Sequence, residues 1–151
     1  VSYLQWHERP GELHTLRFSG GAAAGDVNGD NYPDLFVTRL DDSDILFLNN
    51  RQGGFVDVSD TAGFQQSLPS NGAGLGDLDN DGDLDLYVTS IGDQRHYLYI
   101  NDGTGAFTEE GRPRDAAIAN SKEHLGTSVS LGDYESDGYL DIHTSEWGNN
   151  N

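Results

Sequence analysis

Short runs of β-branched, aromatic and leucine residues alternate along the chain with clusters of Gly, Asn and Asp, and the alternation itself repeats. The first unit opens on a small-residue run from Gly21 to Gly25 and continues, after an acidic loop, with Leu35 to Thr38. A polar turn then leads to Ile45 to Leu48, and a Gly-containing turn from Asn50 to Gly54 leads to Phe55 to Val58. Runs this short, bounded by turn residues, predict strands rather than helices. The second unit answers the first, with Gly72 to Gly76 and Leu86 to Thr89 at an offset of 51. Tyr97 to Ile100 follows Ile45 to Leu48 at an offset of 52, so one residue has been added to the intervening turn. Asn101 to Phe107 answers Asn49 to Phe55, and a third unit starts at Ser128 to Gly132 and runs to Trp147, short of a third strand.

Four short strands in a period of about 50 residues predict an all-β fold of β-propeller blades, each a four-stranded antiparallel sheet. One blade cannot bury both of its faces, so its neighbours must cover them. The expected units are 20–70, 71–127 and an incomplete 128–151. An N-terminal segment, 1–19, holds Trp6, a Pro10-Gly11 turn and a Leu13 to Phe18 strand that would close a preceding unit. Small residues in each first strand suit a crowded central channel, and Phe36, Phe47, Tyr87 and Tyr99 fit blade-to-blade packing. Two and a half units cannot close a ring, so the chain reads as a fragment, an assembling piece or an open array whose exposed blades need partners.

The loop after each first strand carries the candidate chemistry. Asp77, Asp79, Asp81 and Asp85 stand at positions 1, 3, 5 and 9 of the second loop. Asp26, Asn28, Asp30 and Asp34 repeat the pattern in the first, and Asp133, Glu135, Asp137 and Asp141 in the third. Alternate oxygen donors on a tightly curved loop can surround one hard cation. Ca²⁺ takes six to eight oxygens, and a main-chain carbonyl at position 7 (Tyr32, Asp83 or Tyr139) plus water would complete the set. Ca²⁺ is expected over Mg²⁺ because a cage of protein oxygens suits the larger ion, one ion per loop. Position 6 is Gly82 and Gly138 in two loops and Asn31 in the other; Asn tolerates the left-handed region better than most residues. Glu135, longer than Asp, is expected to shift the geometry of the third site.

Charge sharpens the reading. The formal net charge is −18, and the twelve pattern positions hold eleven of the negative charges. Three Ca²⁺ would bring the total to about −12. Without metal, the crowded carboxylates repel one another and loosen the fold. Such a chain repels a phosphate backbone and an anionic membrane surface, so neither nucleic acid nor membrane insertion is expected. There is no apolar run near 18 residues, no signal peptide pattern and no cysteine. Ca²⁺ is plentiful outside cells, which favours an extracellular or cell-surface setting.

Other chemistries fit less well. An EF-hand needs a bidentate Glu at position 12, where this chain has Val37, Val88 and Thr144 within strand patterns. The five histidines share no short metal-ligand spacing, and His143 stands where Phe36 and Tyr87 stand in the other units. Neither a nucleophile elbow nor a phosphate-cradling Gly loop occurs, so no enzyme is expected. Asp41, Asp42, Asp44, Arg95, His96 and Trp147 fall in inter-strand turns and are candidate contacts for a protein or glycan ligand.

The three Asp/Asn loops, the Gly-Asp steps that open them and the Gly54-Phe55 start of a fourth strand resemble FG-GAP/VCBS repeats, the blades of integrin-α-type propellers. The segment from Phe55 to Phe64 is also similar to the cartilage acidic protein branch of that superfamily. The resemblance implies a seven-bladed, Ca²⁺-stabilised extracellular propeller used in adhesion or binding rather than catalysis. It places metal contacts on the twelve pattern positions. A carbohydrate-binding propeller, or a non-catalytic scaffold within a secreted polysaccharide-active enzyme, is the alternative.

Overall fold

The computed structural model describes residues 20–40, 42–91, 95–118 and 124–148, the side chains at 124, 125, 147 and 148 excepted. The expected strand of the N-terminal segment, Asp41 and the Trp147 side chain lie outside the described residues.

Strands β1 (Ala22–Gly25), β2 (Asp34–Val37), β3 (Ile45–Asn49) and β4 (Phe55–Asp57) form one antiparallel sheet in chain order. Strands β5 (Ser70–Gly76), β6 (Asp85–Ser90), β7 (Tyr97–Asn101) and β8 (Phe107–Glu109) form a second sheet with the same order. Strands β9 (His124–Gly132) and β10 (Asp141–Gly148) pair as a hairpin with a register shift between Ser145 and Glu146. The all-β, blade-like architecture predicted from the repeat is therefore present. β9 begins upstream of Ser128, because residues 124–126 pair across the bulge with 146–148.

The repeat positions are also register positions. Ala24 faces Leu35 across β1 and β2, and Leu75 faces Leu86 across β5 and β6. Leu35 faces Phe47 as Leu86 faces Tyr99. An offset in sequence thus becomes one address in each sheet, and strands with period-2 side chains must keep it or turn their apolar face outward.

The blades stack through their first strands, β1 beside β5 and β5 beside β9. Backbone approaches closely there: the Gly21 N–H donates to the Asn71 carbonyl at 2.5 Å, and Asn71 Nδ2 donates to the Gly126 carbonyl at 2.9 Å. A Cβ on Gly74 would come to 2.8 Å from a Val129 methyl, so the small-residue strands are a packing requirement.

Between the first two blades lies an apolar core that includes Val27, Phe36, Leu46, Phe64, Leu86, Val88, Tyr99 and Phe107. Phe36, Tyr87 and Tyr99 are buried as expected, while Phe47 is half-buried and His143 is exposed. The central piece is Phe64, whose ring sits 5.0 Å from Phe36, 5.1 Å from Tyr99 and 5.3 Å from Phe107. A four-residue helix, α1 (Ser59–Ala62), delivers it; Gly63 at φ 103° ends the turn and directs the chain inward. The sequence pattern did not predict this helix, because one turn is too short to show a 3.6-residue period.

Three of the expected ligand-contact residues have a different task. Asp44 is 2% exposed, and its carboxylate accepts from the Arg39 N–H at 2.8 Å and from the Ser70 hydroxyl at 2.8 Å. It ties the β2–β3 turn to the next blade, and burial pushes its carboxyl up to about 6. His96 is fully buried, with Nδ1 facing the Ser90 N–H at 3.3 Å and Nε2 lying 3.6 Å from Glu146 of β10. Burial holds its imidazole below the usual value, against the opposing pull of Glu146. Arg95 is engaged by both oxygens of Glu109, at 2.8 and 2.7 Å, and lies over the Tyr97 ring. Turn composition alone suggested accessible polar groups; the tertiary fold uses them as braces. Asp42 remains exposed and pairs with Arg39 at 3.2 Å.

Candidate metal centre

In an up-and-down sheet, the turns after the first and third strands share one end. The acidic loops between β1 and β2, β5 and β6, and β9 and β10 therefore lie with the β3–β4 and β7–β8 turns, opposite the β2–β3 turn braced by Asp44.

All three loops share one hydrogen-bonded frame. The position-1 carboxylate accepts two N–H groups, from positions 5 and 6. For Asp26 these are Asp30 at 3.0 Å and Asn31 at 2.6 Å; for Asp77 they are Asp81 and Gly82, each at 3.1 Å. In the third loop Asp133 accepts from Asp137 at 3.0 Å and Gly138 at 2.9 Å. The position-5 carboxylates of Asp30, Asp81 and Asp137 accept from the N–H groups of Tyr32, Asp83 and Tyr139. The position-9 carboxylates of Asp34, Asp85 and Asp141 accept from position 2, Val27, Leu78 and Tyr134. Asx-type bonds of this kind curl the backbone before any ion is involved.

The curl needs left-handed residues at two places. Position 6 has φ of 66° at Asn31, 100° at Gly82 and 92° at Gly138, as the pattern predicted for that position. Position 4 is also left-handed, at Gly29, Asn80 and Ser136, a requirement that the spacing of oxygen donors does not display. Gly and Asn in two of those places carried the signal; Ser136 did not.

Position 9 differs from the rest. Asp34 and Asp85 are 1% and 0% exposed. Each closes a link to the end of its third strand: Asp34 accepts from the Asn49 N–H at 2.8 Å, and Asp85 from the Asn101 N–H at 2.9 Å. Burial pushes both carboxyls above the usual range, and nearby carboxylates add to the rise. Asn101 further donates to the Val27 and Leu84 carbonyls, at 2.8 and 3.1 Å, so it fastens the second blade to the first loop. Asn49 and Asn101 are supporting residues that the 52-residue offset displayed without revealing their partners.

The second loop brings its donors together most closely. Ligand oxygens of Asp77, Asp79 and Asp85 all lie within 4.8 Å of one another, and this is the one such group among the described residues. Asp79 Oδ1 is shielded from solvent and has no hydrogen-bond partner among the described residues, while Oδ2 accepts from Arg114 Nη2 at 3.1 Å. A buried carboxylate oxygen without a donor is costly, and a cation is the partner that relieves it. The donor set is wholly oxygen, so it fits a hard ion such as Ca²⁺. In the first loop, Arg51 donates to Asp30 Oδ2 from Nε at 3.0 Å and Nη2 at 2.9 Å. Burial opposes it, but the Arg51 bonds and charge hold the Asp30 carboxyl below the usual range. In the third loop Asp133, Glu135 and Asp137 are exposed and Asp141 is half-buried.

Comparison with protein families finds the FG-GAP-like repeat twice, over residues 26–88 and 77–144. The chain belongs to the FG-GAP-like repeat family. Each match starts at position 1 of an acidic loop and runs into the following repeat, so the family's period is the blade period seen in the sheets. No curated protein matches the chain. FG-GAP repeats are β-propeller-type modules, generally non-catalytic and typical of extracellular proteins. No helix among the described residues is long and apolar enough to cross a membrane.

Proposed function

We propose that this FG-GAP repeat chain is a Ca²⁺-stabilised propeller module that acts outside the cell in adhesion, protein binding or assembly. The second loop is its strongest cation site. The observation that carries the reading is the convergence of Asp77, Asp79 and Asp85 around a shielded Asp79 oxygen that no donor among the described residues meets. Asp81 and the Asp83 carbonyl belong to the same loop and would add donors. By the shared frame, the first loop offers Asp26, Asn28, Asp30, Asp34 and the Tyr32 carbonyl. The third offers Asp133, Glu135, Asp137, Asp141 and the Tyr139 carbonyl.

The role proposed for the ion is structural. Position-1 carboxylates already spend both oxygens on loop N–H groups, and position-9 carboxylates fasten the loop to the sheet. A cation among them would neutralise repulsion and hold the blade end rigid, leaving turns and blade faces to meet a protein, a glycan or another copy of the chain.

Thermal melts and solution mass, in millimolar Ca²⁺ and in excess EDTA, test the reading. At a Ca²⁺ concentration 100-fold above Kd, one native-state site adds about 2.7 kcal/mol. A Ca²⁺-dependent rise in Tm is expected; a melt indifferent to EDTA would return the loops to ordinary turns. A glycan array set beside a protein pull-down separates the two ligand classes.

A further inference from the structure

The three loops share a backbone frame but differ in what meets their side chains, and the difference centres on Arg51. This residue sits at φ 57° in the β3–β4 turn, its N–H bonded to Asn49 Oδ1 at 2.9 Å. The turn lies at the same end as the first acidic loop, and two guanidinium nitrogens reach Asp30 Oδ2. The guanidinium carbon also lies 5.6 Å from the centroid of the Tyr32 ring. Asp30 Oδ1 is engaged by the Tyr32 N–H at 2.8 Å, so both oxygens of the position-5 carboxylate already have donors. Asn28 Oδ1 at position 3 likewise accepts from the Asp30 N–H at 3.1 Å.

The second loop lacks this arrangement. The residue in the place of Arg51 is Gly103, at φ 79°, and Asp83 closes around the spot where its side chain would begin. Asp81, the counterpart of Asp30, is bonded among the described residues through Oδ1 alone. Arg114 does approach Asp79, but with one nitrogen, and its Nε is committed to Glu110 at 2.7 Å. Its charge is thereby offset, and Asp79 Oδ1 stays open.

We propose that Arg51 is a tethered counter-ion of the first loop, competing with Ca²⁺ for Asp30, so that the second loop loads before the first. The proposal rests on the calcium reading above. An ion entering the first loop must share Asp30 Oδ2 with a guanidinium or displace it, and like charges a few ångströms apart repel. The tether also removes much of the repulsion that would loosen the first loop without metal, so this loop holds its shape at Ca²⁺ levels that leave it empty. The Arg51 side chain is 57% exposed, so the competition is moderate and screened by salt.

Calcium calorimetry on the whole chain, wild type against Arg51→Asn, tests it. Asn is chosen because it tolerates the left-handed backbone of this turn. Expected is a roughly three- to tenfold gain in the affinity of one Ca²⁺ step weaker than the tightest. The tightest step should not move, and Tm in EDTA should fall. Arg51→Lys, which keeps the charge but loses the two-nitrogen grip, should fall between them. An Arg51→Asn isotherm superimposable on the wild type, from a chain that folds by its melt, overturns the proposal alone. A wild-type chain that takes up no Ca²⁺ overturns the calcium reading and this inference with it.

Discussion

Replacing Asp79 by Asn is expected to change the sign of its effect on stability with the presence of Ca²⁺. In chelator, the substitution removes one of three carboxylates whose ligand oxygens lie within 4.8 Å. A like-charge pair at that separation costs about 1 kcal/mol at the dielectric of water and about 3 kcal/mol at an effective value near 20. Two such pairs are relieved. Against this stands the Arg114 contact, whose two side chains are 39% and 17% exposed, contributing about 1 kcal/mol or less. The metal-free variant should therefore be more stable by about 1 to 5 kcal/mol. In millimolar Ca²⁺ the order reverses, because the wild type gains binding energy that a site short of one anionic donor largely forfeits. Urea unfolding of both proteins, in EDTA and in Ca²⁺, provides the four free energies. A substitution that shifts stability equally and in the same direction in both conditions would refute the reasoning, since Asp79 would then act as an ordinary packing residue.

Two further perturbations test the frame around the loops. Phe64→Ala empties the ring cluster between the first two blades and should cost about 3–5 kcal/mol in urea unfolding, with or without Ca²⁺; a loss under 1 kcal/mol would show that the blades do not depend on this ring. Asp44→Asn should alter the pH profile of metal-free stability. The folded carboxyl titrates at about 6 and the unfolded one near 3.8, so the native state binds more protons between them. The Asp44 contribution is then most favourable below the unfolded value and is lost as pH rises through 6. The loss amounts to about 3 kcal/mol at pH 7, and the Asn variant should not show it. Parallel profiles for the two proteins from pH 4 to 7 would reject the assignment.

Local rules made the blade and its acidic loops legible in the chain. Strands of four or five residues need a period of two and turn residues at their ends, and both recur at offsets of 51 and 52. The loops need oxygen donors at alternate positions and a residue that tolerates positive φ at position 6, and Asn31, Gly82 and Gly138 carry that requirement openly. These features act within about ten residues of chain, so composition and spacing suffice to display them. Partnerships made across 20 or more residues are a different matter. Nothing in the β2–β3 turn announces that Asp44 is buried against Ser70, or that His96 faces Glu146. Nothing near Arg51 marks it as the partner of Asp30, and nothing near Asp79 shows that one oxygen is sealed from water. Which polar groups are braces and which are left without a donor was decided by the stacking of blades, because burial and distance exist only once separate strands are brought together.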